Sequence, residues 1–231
     1  RPRVKSPCSG KAECLLCLTN PRDDPCDVAM SRQDSSDSHR IGFFGGSFDP
    51  IHKGHLELAK EILVKASLQS ILLCPSRQAP LRQQPHHASP SSRLKMVRIA
   101  AEGIDGLEVT DAETKGDRQS NFTWDTLQKL KGENPRAEII PIIGTDQLAK
   151  LPGWRHAEKL AKNYAFIALT RPGHEFRPPP ELPRLRVENY PTAELEVSST
   201  EIRELIKNGM PFEHLLPKGV SAYLKKNKLY Q

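Results

Sequence analysis

The chain has 231 residues and a mass of 25.9 kDa, enough for one domain with a hydrophobic core and a tail. Its apolar runs, such as residues 165–169, are far shorter than the roughly 18 residues of a membrane-spanning helix, which the sequence therefore excludes. The formal charge of +6 suits a polyanionic ligand but does not separate a nucleotide from a nucleic acid.

Residues 1–39 are predicted to form a disordered extension, because four prolines interrupt them and no helical or strand periodicity runs through them. They lack the apolar centre of a secretory signal, and their acidic residues argue against a transit peptide. Four of the five cysteines lie here: Cys8, Cys14, Cys17 and Cys26. These contain a single C-x-x-C pair, whereas structural zinc sites usually combine two, so no metal site is predicted. Nothing requires an oxidising compartment, and a cytoplasmic location is expected.

From residue 40 onward, predicted strands and helices alternate. The predicted strands cover residues 41–44, 71–74, 107–110, 137–143, 164–169 and 185–187. The predicted helices cover residues 54–66, 93–101 (capped by Ser91 or Ser92), 121–131, 157–162, 199–207 and 219–226. Because the strands are apolar on both faces, the pattern predicts an α/β fold with a doubly wound parallel sheet, formed by one domain over residues 40–231.

The most informative segment is residues 45–55, GGSFDPIHKGH, which joins the first predicted strand to the first predicted helix. Doubly wound sheets bind ligands at the carboxyl ends of their strands. Gly45 and Gly46 would let the backbone approach a phosphate, and the helix that follows offers free N–H groups to it. Neither the Rossmann G-x-G-x-x-G nor the Walker A pattern is present, so the sequence predicts a phosphate loop of another kind.

His52 and His55 stand three residues apart at the start of this helix, so both rings can lie on one side. Such rings can donate hydrogen bonds to a phosphate or, when protonated, carry positive charge beside it. Two other interpretations are a metal-binding pair, for which no third ligand is close in sequence, and simple capping or packing. The position after a Gly-Gly strand end favours the phosphate interpretation.

Four further motifs follow in order: IGTD at residues 143–146, LPGWR at 151–155, RPG at 171–173 and VSSTEIR at 197–203. Together with residues 45–55 they resemble the bacterial nicotinate-nucleotide adenylyltransferases, H-x-G-H nucleotidyltransferases, over about residues 40–230. The resemblance implies a Rossmann-like nucleotidyltransferase fold. It also implies transfer of the adenylyl group of ATP to nicotinate mononucleotide, giving nicotinate adenine dinucleotide and pyrophosphate in NAD biosynthesis. Mg²⁺ is then expected to accompany ATP.

The resemblance assigns roles to individual residues. His52 and His55 match the catalytic histidines, with His55 steadying the α-phosphate. The residues implied to bind ATP are Gly45, Gly46, Ser47, Phe48, His52, His55, Ser198, Ser199, Thr200 and Arg203. Those implied to bind nicotinate mononucleotide are Thr123, Asp146, Trp154 and Arg171. Trp154 is expected to stack on the pyridine ring, and Asp146 to accept a ribose hydroxyl or cap a helix. The Ser-Ser-Thr stretch is also an ordinary N-cap, and both roles can hold at once.

Departures from the family pattern and rival functions complete the predictions. Arg82 stands where the family often has lysine, which leaves its phosphate role open, and His86 and His87 are interpreted as loop residues. Trp124 is interpreted as core packing.

The alternative functions are an adenylyltransferase for nicotinamide mononucleotide or phosphopantetheine, and a non-enzymatic nucleotide or RNA binder. Aromatic residues make up only 6%, which argues against RNA binding.

Overall fold

The computed structural model describes residues 39–77, 85–115, 122–193 and 197–231. The predicted extension up to residue 38 and the loop that contains Arg82 lie outside the described residues.

The described residues form a regular alternation of strands and helices. The strands are β1 (Arg40–Gly46), β2 (Ser70–Pro75), β3 (Leu107–Val109), β4 (Glu138–Gly144), β5 (Ala165–Thr170) and β6 (Arg186–Pro191). The helices are α1 (Lys53–Lys65), α2 (Pro90–Ala101), α3 (Thr123–Glu133), α4 (Thr145–Leu148), α5 (Ala157–Asn163), α6 (Ser199–Lys207) and α7 (Lys218–Lys226). Short 3₁₀ turns at Leu151–Gly153 and Glu213–Leu215 connect some of them.

The six strands form one parallel sheet in the order β3-β2-β1-β4-β5-β6. Ile41 of β1 pairs with Ser70 of β2 on one side and with Ile139 of β4 on the other. The winding therefore reverses between β1 and β4, and ligands of doubly wound sheets bind in the crevice at such a point. The predicted α/β, doubly wound, Rossmann-like fold is confirmed.

Two apolar clusters cover the two faces of the sheet. Successive side chains of β2 belong to different clusters. Leu73 lies in the cluster under α1, α2, α6 and α7, whereas Cys74 lies in the cluster under α3 and α5. This period of two follows from strand geometry. Cys74 is fully buried, and burial raises the pKa of its thiol. Among the described residues, no helix combines the length and apolarity needed to cross a membrane.

Two local predictions are wrong. Helix α2 begins at Pro90, and its N-cap is Ser89 instead of the predicted Ser91 or Ser92. The hydroxyl of Ser89 accepts a hydrogen bond of 3.1 Å from the backbone N–H of Ser92. Proline suits the first helical position because the N–H that it lacks would be unpaired there. Strand β6 is longer than residues 185–187, because it pairs along the whole of β5 despite its polar edge-strand sequence.

Candidate active site

The loop of residues 47–52 follows the carboxyl end of β1, beside the reversal point of the sheet. The buried side chain of Phe48 attaches this loop to the core. The ring of Phe48 is 2% exposed and meets the rings of Phe44 and His55 edge-on, with centroids 5.8 and 5.1 Å away. A Cβ on Gly46 would lie 2.9 Å from this ring, so only glycine fits there. With its ring buried, Phe48 can offer a ligand only its backbone.

The His52 and His55 rings lie together, as their spacing predicts. Their centroids are 3.7 Å apart and their planes are tilted by 32°. The backbone N–H of His52 donates to Nδ1 of His55 at 3.3 Å, which leaves Nε2 as the protonated nitrogen of a neutral His55 ring. Nδ1 of His52 is buried and has no hydrogen-bond partner among the described residues. Such an orphaned polar atom favours a ligand with polar groups at this position.

Burial keeps both rings uncharged. Burial and, to a smaller extent, the nearby Arg171 guanidinium lower the pKa of His52 to about 4. Burial, followed by the His52 ring and Arg171, lowers the pKa of His55 well below its usual value. At neutral pH the free site therefore presents two neutral imidazoles beside the exposed cation of Arg171, which follows β5. A bound phosphate would favour protonation of the pair.

The start of α6 docks directly on the loop that precedes the histidines. The hydroxyl of Ser199 donates to the carbonyl of Pro50 at 2.9 Å, and Arg203 Nη1 donates to the carbonyl of Asp49 at 2.7 Å. Arg203 Nη2 donates to the hydroxyl of Thr200 at 3.1 Å. These bonds bring the two phosphate-type motifs of the sequence into contact.

The same docking depends on a helix cap and a glycine. Ser198 is the N-cap of α6, and its hydroxyl accepts the backbone N–H of Glu201 at 3.1 Å. A Cβ on Gly54 would lie 2.9 Å from Cγ1 of Val197 and 3.2 Å from Nδ1 of His52. The glycine thus allows the segment before α6 to approach the start of α1 closely.

Of the four residues predicted for the mononucleotide, Asp146 and Arg171 come just after strands. Thr123 begins α3, Asp146 lies on α4 directly after β4, Trp154 follows the Leu151–Gly153 turn, and Arg171 follows β5. Because all the strands are parallel, segments that follow them emerge on the edge that carries the histidines. The exposed Asp146 carboxylate accepts the side-chain amide of Gln147 at 2.9 Å.

Trp154 and Trp124 pack against the same apolar cluster, the one under α3 and α5. Trp154 is half-buried against the α3–α5 cluster. Trp124 also packs against that cluster, and its ring lies edge-on to those of Tyr164, at 6.2 Å, and His156, at 6.0 Å. The predicted packing role of Trp124 is confirmed.

Comparison with known proteins adds independent findings. Residues 43–205 match the model of a family described as cytidylyltransferase-like. Proteins of Opitutus terrae and Bacillus licheniformis, each named "probable nicotinate-nucleotide adenylyltransferase", are 35% and 36% identical to this chain. Each alignment covers 83% of this chain and 98% of the relative. This chain belongs to the nicotinate-nucleotide adenylyltransferase family.

A solved structure supports the fold of this family member. The Plasmodium falciparum nicotinic acid mononucleotide adenylyltransferase complexed with NaAD superposes with a TM-score of 0.65 at 22% identity. The match covers 83% of this chain and 97% of that one. This superposition supports the fold, and the relatives at 35% and 36% identity confirm the family resemblance drawn from the ordered motifs.

In this adenylyltransferase-family chain, Asp49 organises the loop, a role that sequence reasoning missed. Its carboxylate is 1% exposed and accepts the hydroxyl of Tyr230 at 2.7 Å and the backbone N–H groups of His87 and Ala88 at 2.8 and 3.1 Å. Nδ1 of His86 lies 3.7 Å away. Burial alone would raise the pKa of Asp49, but these donors and the His86 ring outweigh it and hold the pKa well below its usual range. His86 and His87 are therefore loop residues that also help to hold the Asp49 carboxylate, His87 through its backbone N–H and His86 through its ring.

Arg93 is the second residue that the sequence reasoning missed. It is fully buried, and its guanidinium donates to the carbonyls of Ser47, Arg77 and Ala88 at 2.7, 3.1 and 3.2 Å. It thereby joins the segments that follow β1 and β2. A signal was present, because Arg93 occupies the apolar stripe that α2 forms with residues 96, 97 and 100.

Proposed function

We propose that this chain transfers the adenylyl group of ATP to nicotinate mononucleotide, giving nicotinate adenine dinucleotide and pyrophosphate in NAD biosynthesis. One observation carries the proposal: the Ser199–Pro50 and Arg203–Asp49 hydrogen bonds, 2.9 and 2.7 Å long, hold the start of α6 against the histidine loop. Two phosphate-type motifs thus meet at the ligand-binding edge of the sheet. The names of the relatives that are 35–36% identical support the same reaction.

The chemistry needs positioning and charge stabilisation more than proton transfer. The attacking phosphate oxygen of the mononucleotide is already an anion, so no general base is required. Its bond to the α-phosphorus of ATP forms as the bond from that phosphorus to the leaving pyrophosphate breaks. His55 steadies the charge on the α-phosphate through its Nε2–H, and His52 and Arg171 add a polar atom and a fixed cation nearby.

The ATP site combines the backbone that follows β1 with the first turn of α6. Gly45, Gly46, Ser47 and Phe48 contribute backbone at the end of β1. The hydroxyls of Ser198 and Ser199 are engaged in the cap of α6 and in docking, so these two serines act on the triphosphate mainly through the backbone of the first turn. Thr200 is exposed beside them, and Arg203 chiefly orients the motif.

The mononucleotide occupies the neighbouring part of the edge. The half-buried indole of Trp154 stacks on the electron-poor pyridine ring, Thr123 lines the ring pocket, Asp146 accepts a ribose hydroxyl, and Arg171 attracts the phosphate. This division gives each substrate its own set of side chains.

Mg²⁺ enters with ATP as part of the substrate. The described residues contain no group of three or more His, Cys, Asp or Glu side chains that could hold a metal ion. Asp49, the carboxylate of the loop, uses both oxygens on protein hydrogen bonds. We expect the phosphates of ATP to bind the ion, where it would offset the charge of the leaving pyrophosphate.

We assign catalysis to residues 40–231 and regard residues 1–39 as a dispensable extension. The cytoplasmic location stays a prediction, because it rests only on cysteines that require no oxidising compartment. A protein that begins at Met30 should keep both its melting temperature and its kcat/KM. A fall of more than about 5 °C, which corresponds to about 1 kcal/mol or more in a domain of this size, would contradict this division.

The test of function is pyrophosphate release from ATP with nicotinate mononucleotide, nicotinamide mononucleotide and phosphopantetheine as acceptors. The proposal expects the highest kcat/KM with nicotinate mononucleotide. Preference for either other acceptor would reassign the substrate, and ATP binding without turnover on any of them would indicate a non-enzymatic nucleotide binder.

A further inference from the structure

Asp49 lies three residues before His52 and receives a hydrogen bond from Tyr230, in the segment that follows α7. The Tyr230 hydroxyl donates to Asp49 Oδ1 at 2.7 Å across a separation of 181 residues. The two residues thus connect the last described segment to the loop that carries the histidines.

The Asp49 carboxylate is placed to orient the loop rather than to touch a substrate. Its side chain is almost fully buried, and its two oxygens accept three hydrogen bonds from the protein. The carbonyl of the same residue accepts Arg203 Nη1 at 2.7 Å. Three other segments therefore hold Asp49 by hydrogen bonds to its side chain or main chain: residues 87–88, α6 and the segment that follows α7.

Tyr230 is itself held firmly in place. Its backbone φ of 66° lies in the left-handed region, which non-glycine residues adopt only when their surroundings require it. Its ring packs against the apolar cluster under α1, α2, α6 and α7. Burial and the adjacent Asp49 carboxylate raise the pKa of the Tyr230 hydroxyl, so it stays a hydrogen-bond donor near the Asp49, Arg203 and Arg93 charges.

We propose that Tyr230 is a positioning residue for His52 and His55 and acts on them through Asp49. The loop of residues 47–52 continues directly into α1, so a shift of Asp49 moves both rings. The two rings contact each other, the His55 ring also contacts the Phe48 ring, and the Arg171 cation helps to lower the pKa of both. A displacement of about 1 Å at such a site can cost up to 10²-fold in rate.

Tyr230→Phe removes only the hydroxyl and tests this role. Tyr223→Phe is the matched control, because Tyr223 lies on α7 and packs against the same apolar cluster. The measurements are kcat and KM for both substrates, melting temperature, and titration of the His52 and His55 imidazole signals by NMR. The titration needs no substrate, so it remains informative if the proposed function, on which the kinetic arm rests, is wrong.

For Tyr230→Phe we expect kcat to fall about tenfold with KM within about twofold, since a misplaced donor affects the transition state most. The titration midpoint of His52 should rise from about 4 toward the ordinary 6.5, because a looser loop admits water. Tyr223→Phe should change neither. A His52 midpoint and a kcat for Tyr230→Phe equal to those of Tyr223→Phe would overturn the proposal, whatever the melting temperature.

Asp49→Asn provides a second variant. It replaces one of the two accepting oxygens with an NH₂ group, which cannot accept these hydrogen bonds, while keeping the size of the side chain. It should lower kcat and raise the His52 midpoint as Tyr230→Phe does. Unchanged values in this variant would also contradict a positioning role.

Discussion

The hydroxyl of Ser199 donates a hydrogen bond of 2.9 Å to the carbonyl of Pro50, although 149 residues separate them along the chain. With the Arg203–Asp49 bond, it fixes the start of α6 against the loop before His52. The spacing of the two phosphate-type motifs therefore depends on side chains that recognise main-chain carbonyls.

Ser199→Ala should loosen this contact. One partly buried neutral hydrogen bond contributes about 1 kcal/mol, so the melting temperature should fall by about 3 °C. The kcat/KM for ATP should fall about tenfold, because only the Arg203–Asp49 bond is left to hold the motif against the loop. Ser221→Ala is the control, since Ser221 donates to the Lys218 carbonyl at 2.8 Å within α7. Equal kcat/KM values in the two variants would contradict the docking account.

His55→Ala should reduce kcat by about 10² or more, with a much smaller effect on ligand binding, because the lost donor acts on transition-state charge. Steady-state kinetics and binding calorimetry with a non-hydrolysable ATP analogue separate the two effects. His214→Ala, a change at an exposed position in the Glu213–Leu215 turn, serves as the control. A kcat within a few-fold of the unaltered protein would make His55 structural.

The buried His52 ring should make stability depend on pH. Its pKa is about 4 when folded and near 6.5 when unfolded. The unfolded chain therefore binds a proton between these values that the folded chain does not, and stability falls as the pH drops from 6.5 to 4. The gap corresponds to about 3 kcal/mol.

His52→Gln isolates this effect from Glu113, for which burial raises the pKa to about 7 and gives the opposite slope. Urea unfolding at pH 7, 6, 5 and 4 should show the variant gaining stability relative to the unaltered protein as the pH falls. Parallel stability curves for the two proteins would show that His52 titrates normally.

Trp154→Ala should raise KM for nicotinate mononucleotide by roughly five- to hundred-fold, the range expected for loss of one base stack. KM for ATP should change much less. Trp124→Phe is the comparison, because Trp124 packs against Tyr164 and its replacement should act on melting temperature instead. An equal loss for both substrates in Trp154→Ala would indicate a folding defect.

Much of the fold could be predicted from the sequence, because apolar runs such as β2 and the stripe of α1 follow strand and helix periods directly. The ordered motifs likewise located the histidines. The links made by Asp49 and Arg93 could not be predicted, since their partners are Tyr230, three carbonyls and two N–H groups on distant segments. The neutral state of His52 follows from burial, which only the folded chain reveals.

The most direct test of the central claim uses ATP labelled on its α-phosphate, incubated with the protein, Mg²⁺ and nicotinate mononucleotide, with products separated by chromatography. The account predicts that the label moves into nicotinate adenine dinucleotide in step with unlabelled pyrophosphate, and that His55→Ala slows this transfer about 10²-fold. Label that stays in ATP, or appears in AMP without a dinucleotide, would contradict it.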